Sequence, residues 1–357
     1  MDPAVIRDLV LNVREPVVLR NVKIPWFCMD QPLSEWLSHL DDSNQSGEDG
    51  FLLDCGPRRN GRRPQWERTR GKIRKTMTEF YEEATGDGDY FRENWASYSY
   101  RYVNELPERC RRGVNFEGFG FPDVGEDVSF WIGSGGAHTP CHYDTYGCNI
   151  VVQVHGRKRW LLFPPEAKLK ATRVPYEESS VYCEENLYSP EAYSRVIGVE
   201  SEAFHVDLEP GMVLIVPPKW WHYVETMEFS LNFNTWIQLL PSISTTSREE
   251  LQSTLEYLLN QQASGKRQRT NSTRHPSNYL SPKDLHHLLS TNENYVTPIR
   301  KLENYEFFQL MTENSRRYDP GMNRPSDDEE DNQRSTQVIN RSCNPELIGM
   351  LKGCLNN

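Results

Sequence analysis

The chain has 357 residues, of which 37% are hydrophobic and 11% aromatic, with nine Trp and seventeen Tyr. That is ample for a buried core and excludes a wholly disordered chain, while the start of the sequence reads as no signal peptide and nothing resembles a membrane span. The formal charge of −11 argues against bulk electrostatic binding to nucleic acid, and the eight cysteines, without Cys-x-x-Cys spacing, indicate neither a zinc ribbon nor a redox pair. Free thiols and a cytoplasmic location, with the nucleus as the alternative, are the expectation.

From residue 16 to about 240 the sequence is dense in aromatic and β-branched residues broken by Gly and Pro. Short strands are predicted at Pro16–Arg20, Val128–Ile132, Asn149–Val154, Lys158–Phe163, His205–Leu208, Met212–Val216 and Phe229–Ile237. The turns His155-Gly156-Arg157 and Glu209-Pro210-Gly211 are expected to close hairpins. Amphipathic helices are expected at Pro32–His39 and Thr76–Ala84, where apolar residues recur at three- and four-residue spacing. Many short strands joined by tight turns favour an antiparallel double sheet or barrel over a parallel α/β sheet.

Beyond residue 240 the chain turns polar and helical, with helices predicted at Ser247–Gln262, Pro282–Ser290, Tyr295–Met311 and Pro345–Leu355. The stretch Glu313–Ser335, ending in SDDEEDNQRS, is expected to be disordered. This divides the chain into an N-terminal mixed segment (1–90) packing on the barrel, a barrel core (91–240), a C-terminal helical region (241–312), a disordered acidic linker (313–344) and a short final helix (345–357). The run Arg58–Lys75 carries nine basic residues in eighteen, with Trp66 among them. Such a mixture could bind phosphate and stack a base of RNA, although a solvated loop is the preferred reading of a charge run.

A non-haem iron site needs two neutral imidazoles and one carboxylate on one face of the metal. The minimal trace, His-x-Asp with a distant His, is weak, and the chain holds three such tripeptides: His39-Leu-Asp41, His142-Tyr-Asp144 and His205-Val-Asp207. His39 ends an amphipathic helix beside a polar loop, the setting of an ordinary surface histidine. His205 and Asp207 alternate with Phe204, Val206 and Leu208, so both turn to one face of a strand, read as solvent. His142 and Asp144 lie in GSGGAHTPCHYDTYGCN, a loop-like run leading into an apolar strand, where a barrel mouth would hold ligands rigidly. The distant partner is His222 in VPPKWWHYVE.

At these motifs, and over most of residues 15 to 240, the sequence resembles the JmjC family, and within it the cupin-like branch that includes an asparaginyl hydroxylase and a tRNA hydroxylase. The long run WIGSGGAHTPCHYDTYGCNIVVQVHGRKRWLLFPPE is far more specific than a tripeptide. The resemblance implies a mainly β protein, a double-stranded β-helix (jelly-roll) with flanking helices, and a dioxygenase using Fe(II) and 2-oxoglutarate. It implies His142, Asp144 and His222 as metal ligands and catalytic centre, and Lys158 as the cation for the distal carboxylate of the cosubstrate. Alternation supports Lys158, because it shares a face with Trp160 and Leu162 whereas Arg157 and Arg159 share the other. The resemblance also implies Thr139 on that carboxylate, Asn149 and Asn234 as amides around the cosubstrate, and Tyr102 reaching it, with Tyr98 and Tyr100 as alternative registers. The substrate expected is a protein. The competing readings are a non-catalytic binding module for a small heat-shock protein and a hydroxylase of RNA using Arg58–Lys75. The Leu stripe of Ser247–Gln262 serves either to cap the barrel or to join two subunits.

Overall fold

A computed structural model of the protein describes residues 1–42, 50–86, 88–125, 127–145, 147–173, 180–191, 198–239, 280 and 282–322. Two antiparallel sheets organise them. One contains, in spatial order, β15 (Val296–Pro298), β1 (Val17–Leu19), β12 (Val213–Val216), β7 (Cys148–His155), β14 (Ser230–Ile237), β5 (Ser129–Gly133), β4 (Asn94–Tyr102), β2 (Phe51–Pro57) and β3 (Gly71–Lys75). The other runs β16 (Arg300–Lys301), β11 (Phe204–Leu208), β8 (Lys158–Phe163), β13 (Trp221–Thr226), β6 (His138–Asp144), β10 (Ser180–Cys183) and β9 (Ala171–Arg173). The four central strands of each face one another as a jelly-roll. Each predicted strand appears, its bounds within one residue of expectation.

Side-chain alternation sorts the core into three layers. Val151, Leu214 and Val216 of the larger sheet meet Trp160, Leu162, Val206 and Leu208 of the smaller one between the sheets. The opposite face of the larger sheet, with Phe130, Ile132, Ile150, Val152 and Phe233, packs on N-terminal helices through Ile6, Leu9, Trp36 and Phe80. Outside the smaller sheet, Leu161, Phe163 and Tyr223 cover Phe307 and Met311 of helix Asn304–Ser315. Among the described residues no helix is long and apolar enough to cross a membrane.

The two expected hairpins are corners instead. β7 pairs with β12 and β14, and β8 with β11 and β13, so the turn at Gly156 passes from one sheet to the other. The turn at Glu209–Gly211 does likewise between β11 and β12. The reason is legible in β7 itself: seven of its eight residues are buried, so both of its edges are taken by other strands and none is left for β8. Gly156 sits at φ +63, and a Cβ there would overlap the Phe229 carbonyl, which explains the glycine at this corner.

Helices Leu33–Asp42 and Met77–Thr85 form where expected, the second capped by Thr76 and Glu79 in a reciprocal box. The single helix predicted over Tyr295–Met311 is corrected to the short strands β15 and β16 followed by helix Asn304–Ser315. Pro298 has no N–H to give a helix, and pairing of Val296–Pro298 with β1 places Val296 in the core. The predicted helix at Pro282 runs to Thr291. The stretch expected to be disordered from Glu313 begins as the end of a helix, with Asn314 buried and donating to the Leu187 carbonyl at 2.7 Å. The helices predicted at Ser247–Gln262 and Pro345–Leu355, and the rest of the acidic linker, lie outside the described residues.

Candidate metal centre

β6 and β13 lie side by side with His142 opposite His222 in register. Two imidazoles on adjacent strands therefore stand on one face, their ring centroids 4.2 Å apart. Asp144, two residues on from His142, projects to the same face. His142 Nε2 is 3.8 Å from Asp144 Oδ1 and His222 Nε2 is 3.9 Å from Asp144 Oδ2. One donor atom from each of the three falls within 4.8 Å of the others, and all three residues are buried. The run expected to be a loop before the metal motif is thus itself strand from His138 onward.

The second nitrogen of each imidazole fixes the tautomer. His142 Nδ1 bonds the Pro140 carbonyl and His222 Nδ1 the Trp220 carbonyl, each at 2.9 Å. A carbonyl only accepts, so Nδ1 carries the proton and both Nε2 lone pairs point at the space beside Asp144. Burial, and then the neighbouring His142, depress the His222 pKa to about 4, so its ring is neutral at pH 7. The Trp236 indole N–H donates to Asp144 Oδ2 at 2.9 Å and holds the carboxylate plane. Two neutral imidazoles and an oriented carboxylate are the donor set that a divalent transition metal takes, and these three residues could hold one.

Deeper between the sheets lies a polar floor. Lys158 is buried, has no charged or hydrogen-bonding partner among the described residues, and stands with Nζ 5.9 Å from the centre of the Trp131 ring. Desolvation pushes its pKa down to about 7. It faces inward with Trp160 and Leu162, while Arg159 on the opposite face pairs with Asp207. Thr139 lies level with Val224 and Trp160 across three strands, one step above the Lys158–Thr226 pair. Asn234 Nδ2 donates to Asn149 Oδ1 at 2.9 Å, and Trp131 Nε1 donates to Asn234 Oδ1 at 2.7 Å. Gln153 Oε1, Asn232 Oδ1 and Trp160 Nε1 are buried without a hydrogen-bond partner among the described residues. Orphaned polar atoms at that depth are costly unless a polar guest completes them.

The tyrosine registers separate as well. Tyr98 pairs with Ile132 and packs on Phe51 and Phe130, away from the site. Tyr102 pairs with Ser129, whose neighbour-but-one Trp131 faces inward, and Tyr100 meets Trp131 itself edge-to-face. Tryptophans 131 and 236, Asn232 and Gln153 were absent from the sequence expectations. Their signal was polar or indole side chains at every second position of otherwise apolar strands, as in Asn149-Val151-Gln153 and Asn232-Asn234-Trp236. Neither of the other two tripeptides gathers a third ligand among the described residues: His39, expected at the surface, is largely covered, with Nε2 3.6 Å from Glu35 on its own helix, and His205 bonds Asp207 at 3.0 Å on a partly covered face.

A jelly-roll closing on a His, Asp and His cluster defines a JmjC-type cupin domain. The chain belongs to the family described as Cupin-like domain, whose model matches residues 3–241. Among curated proteins it is similar to HSPB1-associated protein 1 of Bos taurus, with 36% identity over 265 residues, 70% of this chain and 53% of that protein. The Homo sapiens protein of the same name is 36% identical over 253 residues, covering 66% of this chain and 50% of its own length. Lysine-specific demethylase JMJ30 of Arabidopsis thaliana shares 33% identity over 138 residues, 38% of this chain and 30% of that one. The chain spans about half the length of the HSPB1-associated proteins it matches.

Proposed function

We propose that the protein is a dioxygenase that uses Fe(II) and 2-oxoglutarate to hydroxylate a protein substrate. The observation that carries this reading is the pairing of two features on the inner face of one sheet: a buried, tautomer-fixed His142, Asp144 and His222 cluster, and a buried lysine without a counter-charge among the described residues. Lys158 lies four residues along β8 from Leu162, the register partner of His222. Those rows are about 13 Å apart, a gap suited to a lysine side chain meeting the far end of a short dicarboxylate. A monocarboxylate would leave that ammonium unpaired.

His142, Asp144 and His222 would hold Fe(II). Lys158 would receive the distal carboxylate of 2-oxoglutarate as a point charge, with Thr139 as a hydroxyl donor beside it. Asn149, Asn234 and Tyr102 would orient the cosubstrate, and Trp160 and Val224 line the cavity and exclude water. The chemistry that Fe(II) would supply there is oxidation of a substrate C–H bond by O2 with 2-oxoglutarate as co-reductant, and the protein's own residues would contribute orientation and a dry site.

The test is succinate formation by anaerobically purified protein loaded with Fe(II), native against His142→Ala. Turnover lost in the variant is expected. If folded native protein bound neither iron nor 2-oxoglutarate, the reading would fail. The relatives named HSPB1-associated protein 1 would then favour the second reading, a binding module for a small heat-shock protein.

An RNA substrate has weaker support. Much of the basic run is spent within the chain: Arg58 donates to the Phe91 and Asn94 carbonyls, Arg70 to that of His138 and Arg74 to that of Gly50. Lys72 and Lys75 pair with Asp54 and Glu83, and Gly71–Lys75 is an edge strand whose charges guard it against pairing with other chains.

A further inference from the structure

Tyr100 has φ +58, the left-handed region, at the point where the register of β4 against β5 shifts, between Tyr98 and Arg101. For a bulky L-residue that conformation is strained, and it persists only where the surroundings over-determine it. The bulge throws the ring between two indoles. Its centroid is 5.5 Å from that of Trp131 at 74° and 5.9 Å from that of Trp236 at 57°.

Each indole has a single N–H, and each aims it into the candidate site: Trp236 at Asp144 Oδ2 and Trp131 at Asn234 Oδ1, which in turn fixes Asn149. An N–H vector on a rigid ring is only as well aimed as the ring. One strained tyrosine therefore touches both rings that orient the carboxylate of the metal cluster and the amide pair beside it. Tyr100 is thus a ring neighbour common to both indoles.

We propose that Tyr100 is a positioning residue that, through Trp236 and Trp131, sets the metal carboxylate and the Asn234–Asn149 pair together; the inference rests on the metal-site reading above. The contacts that carry the role are those of its ring with the two indoles. Outer-shell partners of metal ligands commonly contribute 10- to 100-fold in affinity.

The experiment titrates apo protein with Mn(II) alone, following the free-ion electron paramagnetic resonance signal, with a thermal melt of every variant. Trp236→Phe, which keeps a ring and removes the N–H, is expected to weaken Mn(II) binding about tenfold. Tyr100→Gly, which relieves the backbone strain and removes the wedge, is expected to do the same while melting cooperatively, and Tyr100→Phe to bind within about twofold of native. The double variant Tyr100→Gly/Trp236→Phe should bind hardly more weakly than Trp236→Phe, because both changes act on one hydrogen bond. Should Tyr100→Gly not melt cooperatively, Tyr100→Leu replaces it under the same expectations. Native-like Mn(II) affinity in the folded Tyr100 variant overturns the inference and leaves the metal site standing. Absence of Mn(II) binding by the native protein overturns both.

Discussion

Lys158→Met probes the proposed cosubstrate site through stability rather than turnover. In the apo protein the ammonium is buried without a counter-charge, and desolvation lowers its pKa from 10.5 to about 7. A tenfold change in proton affinity corresponds to about 1.4 kcal/mol, so carrying this lysine into the fold at neutral pH costs on the order of 4–5 kcal/mol, an upper figure because partial solvation relieves part of it. Methionine has a similar length and no charge, so apo Lys158→Met should be more stable than native at pH 7 by several kcal/mol in urea unfolding. The sign with pH follows from proton counts. Between pH 7 and 10.5 the unfolded chain holds the lysine proton and the folded one does not, so this group makes native stability rise with pH. From pH 7 to 9 the rise is roughly 2–3 kcal/mol, and it is absent in the variant. Millimolar 2-oxoglutarate added to Mn(II)-loaded protein should stabilise the native chain further by mass action and give Mn(II)-loaded Lys158→Met no further stabilisation. A destabilised variant, or an unchanged pH slope, would refute the picture of an unpaired buried cation.

Three further outcomes are expected. His138 is buried, stacked on Tyr188 with ring centroids 3.7 Å apart, and burial depresses its pKa to about 3; below pH 6.5 the unfolded chain takes a proton the folded one refuses, so acid denaturation of His138→Phe should show a slope shallower by about 1.4 kcal/mol per pH unit between pH 6.5 and 4. Glu225→Gln leaves Arg317, bonded to Glu225 at 2.6 Å, without its ion partner, and should lower stability by about 1–3 kcal/mol in urea, with an unaltered midpoint counting against the pair. Gly156→Ala, strained in φ and colliding with the Phe229 carbonyl, should cost more than about 2 kcal/mol by thermal melt.

Strand existence and the metal residues were legible because both leave local traces. Alternation marks an inward face, and a His-x-Asp pair beside a strand marks one side of it. What escaped was set by partners far along the chain. The turn at Gly156 looks like a hairpin, since a two-strand pattern says nothing of which sheet each strand joins; the choice is made by β12 and β14 occupying both edges of β7. Tyr295–Met311 carries helical spacing, yet Pro298 and the pairing with β1 divide it. Tyr102 and Tyr100 could not be separated by alternation, because the irregularity between Tyr98 and Arg101 breaks the period at that point. Trp131 and Trp236 drew no expectation because an indole reads as apolar bulk until its N–H has a partner, and those partners lie 103 and 92 residues away.

The strands that carry the ligands are braced from behind. Inward, β6 and β13 present His142, Asp144 and His222; outward, the same strands present His138, Tyr223 and Glu225. Tyr223 donates to Glu225 at 2.9 Å, Arg317 pairs with that carboxylate, and the guanidinium lies 4.4 Å from the centre of the Tyr188 ring. The segment bearing Arg317 is itself pinned, because Asn60 N–H donates to the Arg317 carbonyl and Asp319 N–H to that of Asn60. A site whose three donor atoms must meet within a few ångströms tolerates little shear between two neighbouring strands. The backbone pairing of β6 with β13 resists such shear within the sheet. The outer cluster, which joins Tyr188, Glu225, Arg317 and Asn60 from four separate segments, adds to that resistance from behind. It follows that loosening the C-terminal strap at Arg317 should be felt first as a change in the His142–His222 separation, before any loss of the barrel.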